Sequence, residues 1–194
     1  QIEDSEVLKK LGLEKGKYIL LSAHREENID IEANFISLMS AVNAMAETYD
    51  MPILYSCHPR SHKMIEKRGF KFDSRVIQSQ PLGFFDYNHL QQHALCVVSD
   101  SGTVPEEAAY FHFPAVSVRT STERPEAMDK GVFIIGSITV ESVLQAVDVA
   151  VSMCTNGDDA VNVPAYVDDN ISTKVIKLIQ SYTSIINRMI WRKS

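Results

Sequence analysis

The 194-residue sequence is poor in cysteine, with three, and holds a single tryptophan. Cys57, Cys96 and Cys154 form no CxxC pair, which weighs against a redox or zinc-knuckle protein. The expectation is reduced, buried, structural thiols in a cytoplasmic protein. No apolar run approaches the roughly 20 residues that span a bilayer, and no secretory leader opens the chain, so no membrane partner is expected. Positive charge is not in excess: 19 Lys and Arg stand against 25 Asp and Glu, a formal net charge of -6, which weighs against nucleic acid. There is no Walker A loop and no GxGxxG after the first strand-like run, which argues against a P-loop NTPase and a standard NAD site. No Ser-His-Asp or Cys-His nucleophile set stands out. His62, His89, His93 and His112 lack metal-ligand spacing and read as structural or solvated. Repeats and low-complexity tracts are missing too. The chain begins at Gln1 rather than Met, which suggests a piece of a longer protein or an expression boundary.

What is present is an alternation of two patterns. Hydrophobic residues make up 45% and charged residues 23%, ordinary values for one well-cored domain. β-Branched apolar runs at residues 18–23, 53–57, 75–77, 95–99, 115–118 and 132–135 predict strands. Helical stretches fall between and after them, at residues 31–48, 61–68, 84–93, 104–111, 124–130 and 140–152. In the first, Phe35, Leu38, Val42 and Met45 recur at helical spacing. The strand runs are apolar without alternation, so both faces should be covered. This order predicts an α/β fold, Rossmann-like, with a doubly wound and mostly parallel sheet. Residues 1–13 read as a lead-in helix followed by a turn at Gly16. A polar stretch at 154–169, with Asn156-Gly157 as a turn and Pro164 as a breaker, precedes a last amphipathic helix at 171–191. The expected division is a domain at residues 1–170 and a terminal helix at 171–194.

Ligands of an open parallel sheet bind beyond the carboxyl ends of the strands. That selects residues 24–30, 58–60, 78–85, 100–103 and 119–124, which hold most of the unusual polar side chains. In His24-Arg25-Glu26-Glu27-Asn28, the arginine suits phosphate and the histidine suits a phosphate or a proton. The alternative is a solvated helix start, with Asp30 as N-cap and Glu32 in the first turn, and it suits the glutamates better. Asp100-Ser101-Gly102-Thr103 leads into Pro105-Glu106-Glu107. Gly102 permits close backbone approach, the hydroxyls and helix-start N–H groups suit a pyrophosphate, and Glu107 suits a ribose diol. A capped helix with Ser101 or Thr103 as N-cap explains the same residue types singly. In Arg119-Thr120-Ser121-Thr122-Glu123-Arg124-Pro125-Glu126, two arginines flank three hydroxyls, a composition for anions and sugars. The alternative is helix initiation near Thr122 or Glu123, with the arginines in surface ion pairs. His58 fits a ligand contact and a strand-end histidine about equally. Tyr87, after the turn Gln80-Pro81-Leu82-Gly83, suits base stacking or the core.

Together these segments resemble the non-hydrolysing UDP-N-acetylglucosamine 2-epimerases. That family's HRxEN is met by His24 to Asn28, its DSGG-x-x-EEA by Asp100 to Ala108, and its R-x-x-TERPE-x-x-x-x-G by Arg119 to Gly131. The fit extends from about Tyr18 to Val151. The resemblance implies the carboxyl-terminal half of a two-domain GT-B enzyme, with the last helix crossing back toward a missing N-terminal domain. It implies UDP contacts from His24, Ser101, Gly102, Glu107 and Arg124, with uracil near Leu82 and Tyr87. It further implies a second, regulatory UDP-sugar site near Arg25 and His58. The implied reaction inverts C2 by eliminating and re-adding UDP, with no metal or redox cofactor. The family's acid/base carboxylates belong mostly to the missing domain, so His24 is the one catalytic candidate here and the isolated chain should be nearly inactive. The implied partners are a UDP-sugar, the missing domain and, in the full-length protein, a second copy as homodimer. Thr103 in place of a glycine and HREEN in place of HRREN suggest a capsule or O-antigen subgroup forming UDP-N-acetyl-L-fucosamine, by way of a 6-deoxy-L-talosamine-type nucleotide. Competing readings are a GT-B UDP-sugar glycosyltransferase domain, a non-catalytic nucleotide- or partner-binding module, and a hydrolysing epimerase.

Overall fold

The apolar runs assemble into a six-stranded sheet in the computed structural model, which describes residues 1–157 and 162–193. The strands are β1 (Ile19–Ser22), β2 (Ile53–Ser56), β3 (Val76–Ser79), β4 (Cys96–Ser99), β5 (Ala115–Ser117) and β6 (Ile134–Ile135). Their order is β3-β2-β1-β4-β5-β6, and every neighbouring pair is parallel. This is the doubly wound arrangement, in which the winding reverses between β1 and β4. The register sets Ser22 opposite Ser99 at the carboxyl ends of those two strands. β2, β4 and β5 are buried throughout and β1 up to Ser22, whereas the edge strands β3 and β6 are partly exposed. Covering of both faces therefore holds for the central strands only.

The helices of the first compact unit, Gln1–Val163, are α1 (Val7–Leu11), α2 (Glu26–Ile29), α3 (Glu32–Tyr49), α4 (Pro59–Arg68), α5 (Phe84–His93), α6 (Val104–Phe111), α7 (Pro125–Met128) and α8 (Val140–Asn156). α3 buries Phe35, Leu38, Val42 and Met45, the predicted face, in one cluster with Val143 and Val147 of α8 and with Ile19, Leu21, Ile53 and Val98 of the sheet. Each such side chain contributes on the order of 1.5–3 kcal/mol by leaving water. Leu20, Leu54 and Val97 alternate with these residues and serve the opposite face. On α5, Leu90 accepts a hydrogen bond through its carbonyl from the Tyr18 hydroxyl at 2.6 Å.

Several boundaries differ from the sequence reading. The lead-in helix shortens to α1, ended by Gly12 at φ 65. An additional turn, α2, occupies the segment before α3, so Asp30 closes α2 and Ile31, not Asp30, is the N-cap of α3. The Asp30 carboxylate pairs with Arg60 instead. α7 is a single turn capped by Arg124 rather than by Thr122 or Glu123, while the Thr122 hydroxyl accepts from the Arg124 N–H at 3.1 Å. α8 continues to Asn156 and ends on Gly157 at φ 74. Of the predicted polar stretch, residues 158–161 lie outside the described residues. Cys57 and Cys96 are buried, and burial pushes the Cys57 thiol up to about 11, away from nucleophilic use. Cys154 is only half-buried.

The second unit, Pro164–Ser194, holds a 3-10 turn at Pro164–Tyr166 and α9 (Ile171–Met189). α9 exposes Ile176, Leu178, Ile179 and Tyr182.

Gly136 follows β6, and a β-carbon there would lie 2.7 Å from Val116 Cγ1 and 3.1 Å from Ala146 Cβ. Gly136→Ala is expected to destabilise by about 1–3 kcal/mol through overpacking, seen as a lower urea midpoint with an unchanged slope.

Candidate functional site

The reversal of winding sets the loops after β1 and β4 side by side, and Asp100 joins them. Its side chain is fully buried. The carboxylate accepts from the backbone N–H of His24 at 2.9 Å, the N–H of Arg25 at 2.8 Å and Asn28 Nδ2 at 3.1 Å. Its own N–H donates to the Ser22 carbonyl, and its carbonyl accepts from Arg25 Nε at 2.8 Å. Asn28 also donates to the Val118 carbonyl at 3.0 Å, which brings the end of β5 into the same cluster. A buried carboxylate is tolerated when its lone pairs are met this fully.

Above this anchor the His24 ring is 45% exposed, with Nδ1 3.5 Å from Asp100 Oδ1. The His58 ring lies 5.8 Å away, centroid to centroid. His58 caps α4, its Nδ1 accepting from the Arg60 N–H at 3.2 Å, which leaves Nε2 as the proton-bearing nitrogen of the neutral ring. Arg25 runs beneath the next turn: a β-carbon on Gly102 would meet Arg25 Nη2 at 3.8 Å.

The turn at 101–103 directs its hydroxyls along the surface toward Glu107. A carboxylate only accepts, so Thr103 donates to Glu107 Oε1 at 2.9 Å and itself faces the Ser101 hydroxyl at 3.1 Å. Gln91 Nε2 donates to the other oxygen of Glu107 at 2.6 Å. Thr103 is the N-cap residue of α6, although its side chain makes no capping bond. Tyr87 is half-buried, and burial pushes its hydroxyl up to about 12.

After β5, Arg119 is buried and grips Glu123 with both Nη atoms, at 2.7 and 2.8 Å. Those bonds hold the Glu123 carboxyl at about 2. Arg124 Nε pairs with Glu106, which folds this loop onto the first turn of α6. The structure thus brings His24, Arg25, Ser101, Gly102 and, through Glu106 and Thr103, Arg124 and Glu107 to one rim. It places His58 beside His24 and leaves Leu82 partly buried in the turn before α5. Gln91 and the bridging role of Asn28 escaped the sequence reading. Gln91 lies four residues after Tyr87, hence on the same face of α5, and that spacing was the available signal. No group of three His, Cys, Asp or Glu among the described residues is arranged to hold a metal. Donors at a helix start, an exposed histidine and an arginine suit an anionic diphosphate, while a fixed carboxylate suits neighbouring hydroxyls.

Comparison with known proteins points the same way. A family model described as UDP-N-acetylglucosamine 2-epimerase matches residues 1–180. A UDP-N-acetylglucosamine 2-epimerase of Methanococcus maripaludis is 32% identical over 136 residues, covering 68% of this chain and 37% of that protein. A UDP-2,3-diacetamido-2,3-dideoxy-D-glucuronate 2-epimerase of Pseudomonas aeruginosa is 33% identical over 118 residues, covering 61% and 32%. The solved structure of UDP-N-acetylglucosamine 2-epimerase from Rickettsia bellii matches with a TM-score of 0.78 at 31% identity, over 99% of this chain and 52% of that one. The Methanocaldococcus jannaschii UDP-GlcNAc 2-epimerase in complex with UDP-GlcNAc and UDP matches at 0.79 and 25% identity, over 93% and 50%. The fold is thus one half of the GT-B arrangement of these epimerases, and the chain spans about half the length of the two solved structures.

The Arg119–Glu123 pair has a defined pH signature. Glu123 titrates at about 2, against 4.5 for an unperturbed group. A lowered carboxylate stabilises the fold fully above its unfolded value and loses that contribution as pH falls through the folded one. Glu123→Gln should therefore lower stability by a constant, modest amount between about pH 5 and 7, and the difference should shrink through acid and vanish below about pH 2. Urea unfolding across pH reads this out; a difference that persists in acid rules out an ionic origin.

Proposed function

Because the chain belongs to the UDP-N-acetylglucosamine 2-epimerase family, we propose that it binds the UDP portion of a UDP-N-acetylhexosamine and forms the nucleotide half of a 2-epimerase site. The observation that carries this reading is the convergence of the loops after β1, β4 and β5 on Asp100 at the switch point. His24, the Ser101–Gly102 turn at the start of α6, and Arg124 hold the diphosphate. Glu107 accepts from the ribose, and the turn carrying Leu82, with Tyr87, borders the uracil. Arg25 and His58 serve a second, regulatory UDP-sugar site.

The chemistry follows from what leaves. A base takes the proton at C2, the C–H electron pair becomes the C1–C2 double bond, and UDP departs with the C1–O pair, giving a 2-acetamidoglucal. UDP then re-adds at C1 while C2 is protonated from the other face. This half stabilises the charge on departing UDP, an electrostatic role. The proton-transfer carboxylates sit mostly in the partner half, with His24 the candidate on this side. Residues 1–170 act as the UDP domain and residues 171–194 as the helix returning to that half, in a cytoplasmic homodimer. The sugar is of the UDP-N-acetyl-L-fucosamine-forming type, for bacterial surface polysaccharide. A P. aeruginosa relative named for a modified UDP-hexosamine supports such variation within the family.

Calorimetry with UDP is the direct test. Arg124→Ala should weaken UDP by about tenfold or more, about 1.4 kcal/mol; unchanged affinity would remove Arg124 from the site. For the reaction, the chain is mixed with the complementary amino-terminal half in D₂O and followed by proton NMR. Deuterium at C2 is expected from the mixture and none from the chain alone, since each missing acid or base withholds about 10²–10⁴-fold. Transfer of the sugar to an acceptor would instead mark a glycosyltransferase.

A further inference from the structure

Gln91 spends a buried amide on a single contact. It lies on α5 with no exposed surface, and its Nε2 meets Glu107 Oε2 at 2.6 Å. Its Oε1 is buried with no hydrogen-bond partner. An apolar side chain of the same length would avoid that desolvation loss, so the amide is offset here only by what it does to Glu107. The other oxygen of Glu107 takes the Thr103 hydroxyl at 2.9 Å, at the position where the resemblance places a glycine.

From this we propose that Gln91 and Thr103 are positioning residues that lock the Glu107 carboxylate for two neighbouring hydroxyls, so that the chain selects a ribonucleotide over its 2′-deoxy counterpart. The proposal rests on the nucleotide-binding reading above. A carboxylate offers two lone-pair directions on each oxygen. Gln91 and Thr103 take one on each, which leaves one on each for incoming donors, the pattern that a cis-diol fills. Loss of either donor lets the carboxylate turn and forfeits its preorganisation. The hydroxyl pair feels that loss, while a sugar lacking one hydroxyl depends on it less.

Calorimetry with UDP and with 2′-deoxy-UDP, on wild type, Gln91→Met and Thr103→Val, tests this. Wild type should prefer UDP by about tenfold or more, as expected of a site built around a hydroxyl. Either substitution should weaken UDP several-fold, leave 2′-deoxy-UDP within about twofold, and so collapse the preference. Thr103 is exposed, so Thr103→Val keeps the fold and carries the test where Gln91→Met does not fold. Both nucleotides weakening together, alongside a lower melting temperature, would mean a merely structural role and overturns the proposal. UDP binding with its ribose preference intact in both variants overturns the lock alone. Wild type that binds no UDP overturns the nucleotide reading and the lock with it.

Discussion

The site depends on one buried carboxylate. Asp100 has no exposed surface, and its carboxylate is met by donors from the loop after β1 and from α2, which follows it. Two of those donors are backbone N–H groups, so the bond fixes the path of the main chain at His24 and Arg25 and not only the position of a side chain. Without the carboxylate, those two N–H groups would lose their acceptor, and the Asn28 amide would keep only the Val118 carbonyl. The exposed His24 ring above is therefore aimed by a group no ligand need touch.

The anchor exists because of strand order. In a sheet wound one way throughout, consecutive crossovers would cover the carboxyl edge of β1. Here the chain leaves β1 for β2 on one side and returns to place β4 on the other, which opens a crevice between β1 and β4. Ser22 and Ser99 end those strands in register, and the two loops emerge at the same height. Asp100, first residue after β4, is thereby opposite the first residues after β1. A crevice of this kind follows from strand order and not from any one sequence. Specificity has to come from the side chains around it.

The architecture was legible in the sequence because each central strand is a short apolar run and the long helices α3 and α8 carry a 3.6-residue stripe. α5 and α6 match their predicted limits residue for residue, helped by Gly83 before one and Pro105 inside the other. Less legible were features set by tertiary partners. α2 is a single turn whose buried Asn28 answers to Asp100, more than 70 residues away, and local propensity carries no trace of that. Asp30 has the chemistry of an N-cap but is drawn to Arg60 on α4, and Ile31 takes the cap position. At the rim, composition found the residue types but not their couplings. Its spacing from Tyr87 puts Gln91 on a face of α5, but its partner, Glu107 on α6, is supplied only by the fold.

The same distinction sorts the arginines, which composition treats alike. Arg119 is buried, and both of its Nη atoms are spent on Glu123, a carboxylate of its own loop; it is a staple that shapes residues 119–124. Arg60 on α4 performs a similar service for α2, pairing with Glu26 and Asp30. Arg124, like Arg60, reaches across to another element: its Nε meets Glu106 on α6, next in sequence to Glu107. Arg124 Nη1 also donates to the Glu123 carbonyl at 3.3 Å, so this planar fork is held in one orientation between its own loop and α6. A net charge of -6 does not oppose the proposed diphosphate site, because such a site relies on groups oriented at the rim. Attraction is then local and directional, arising from oriented N–H groups and a fixed guanidinium rather than from the field of the whole molecule.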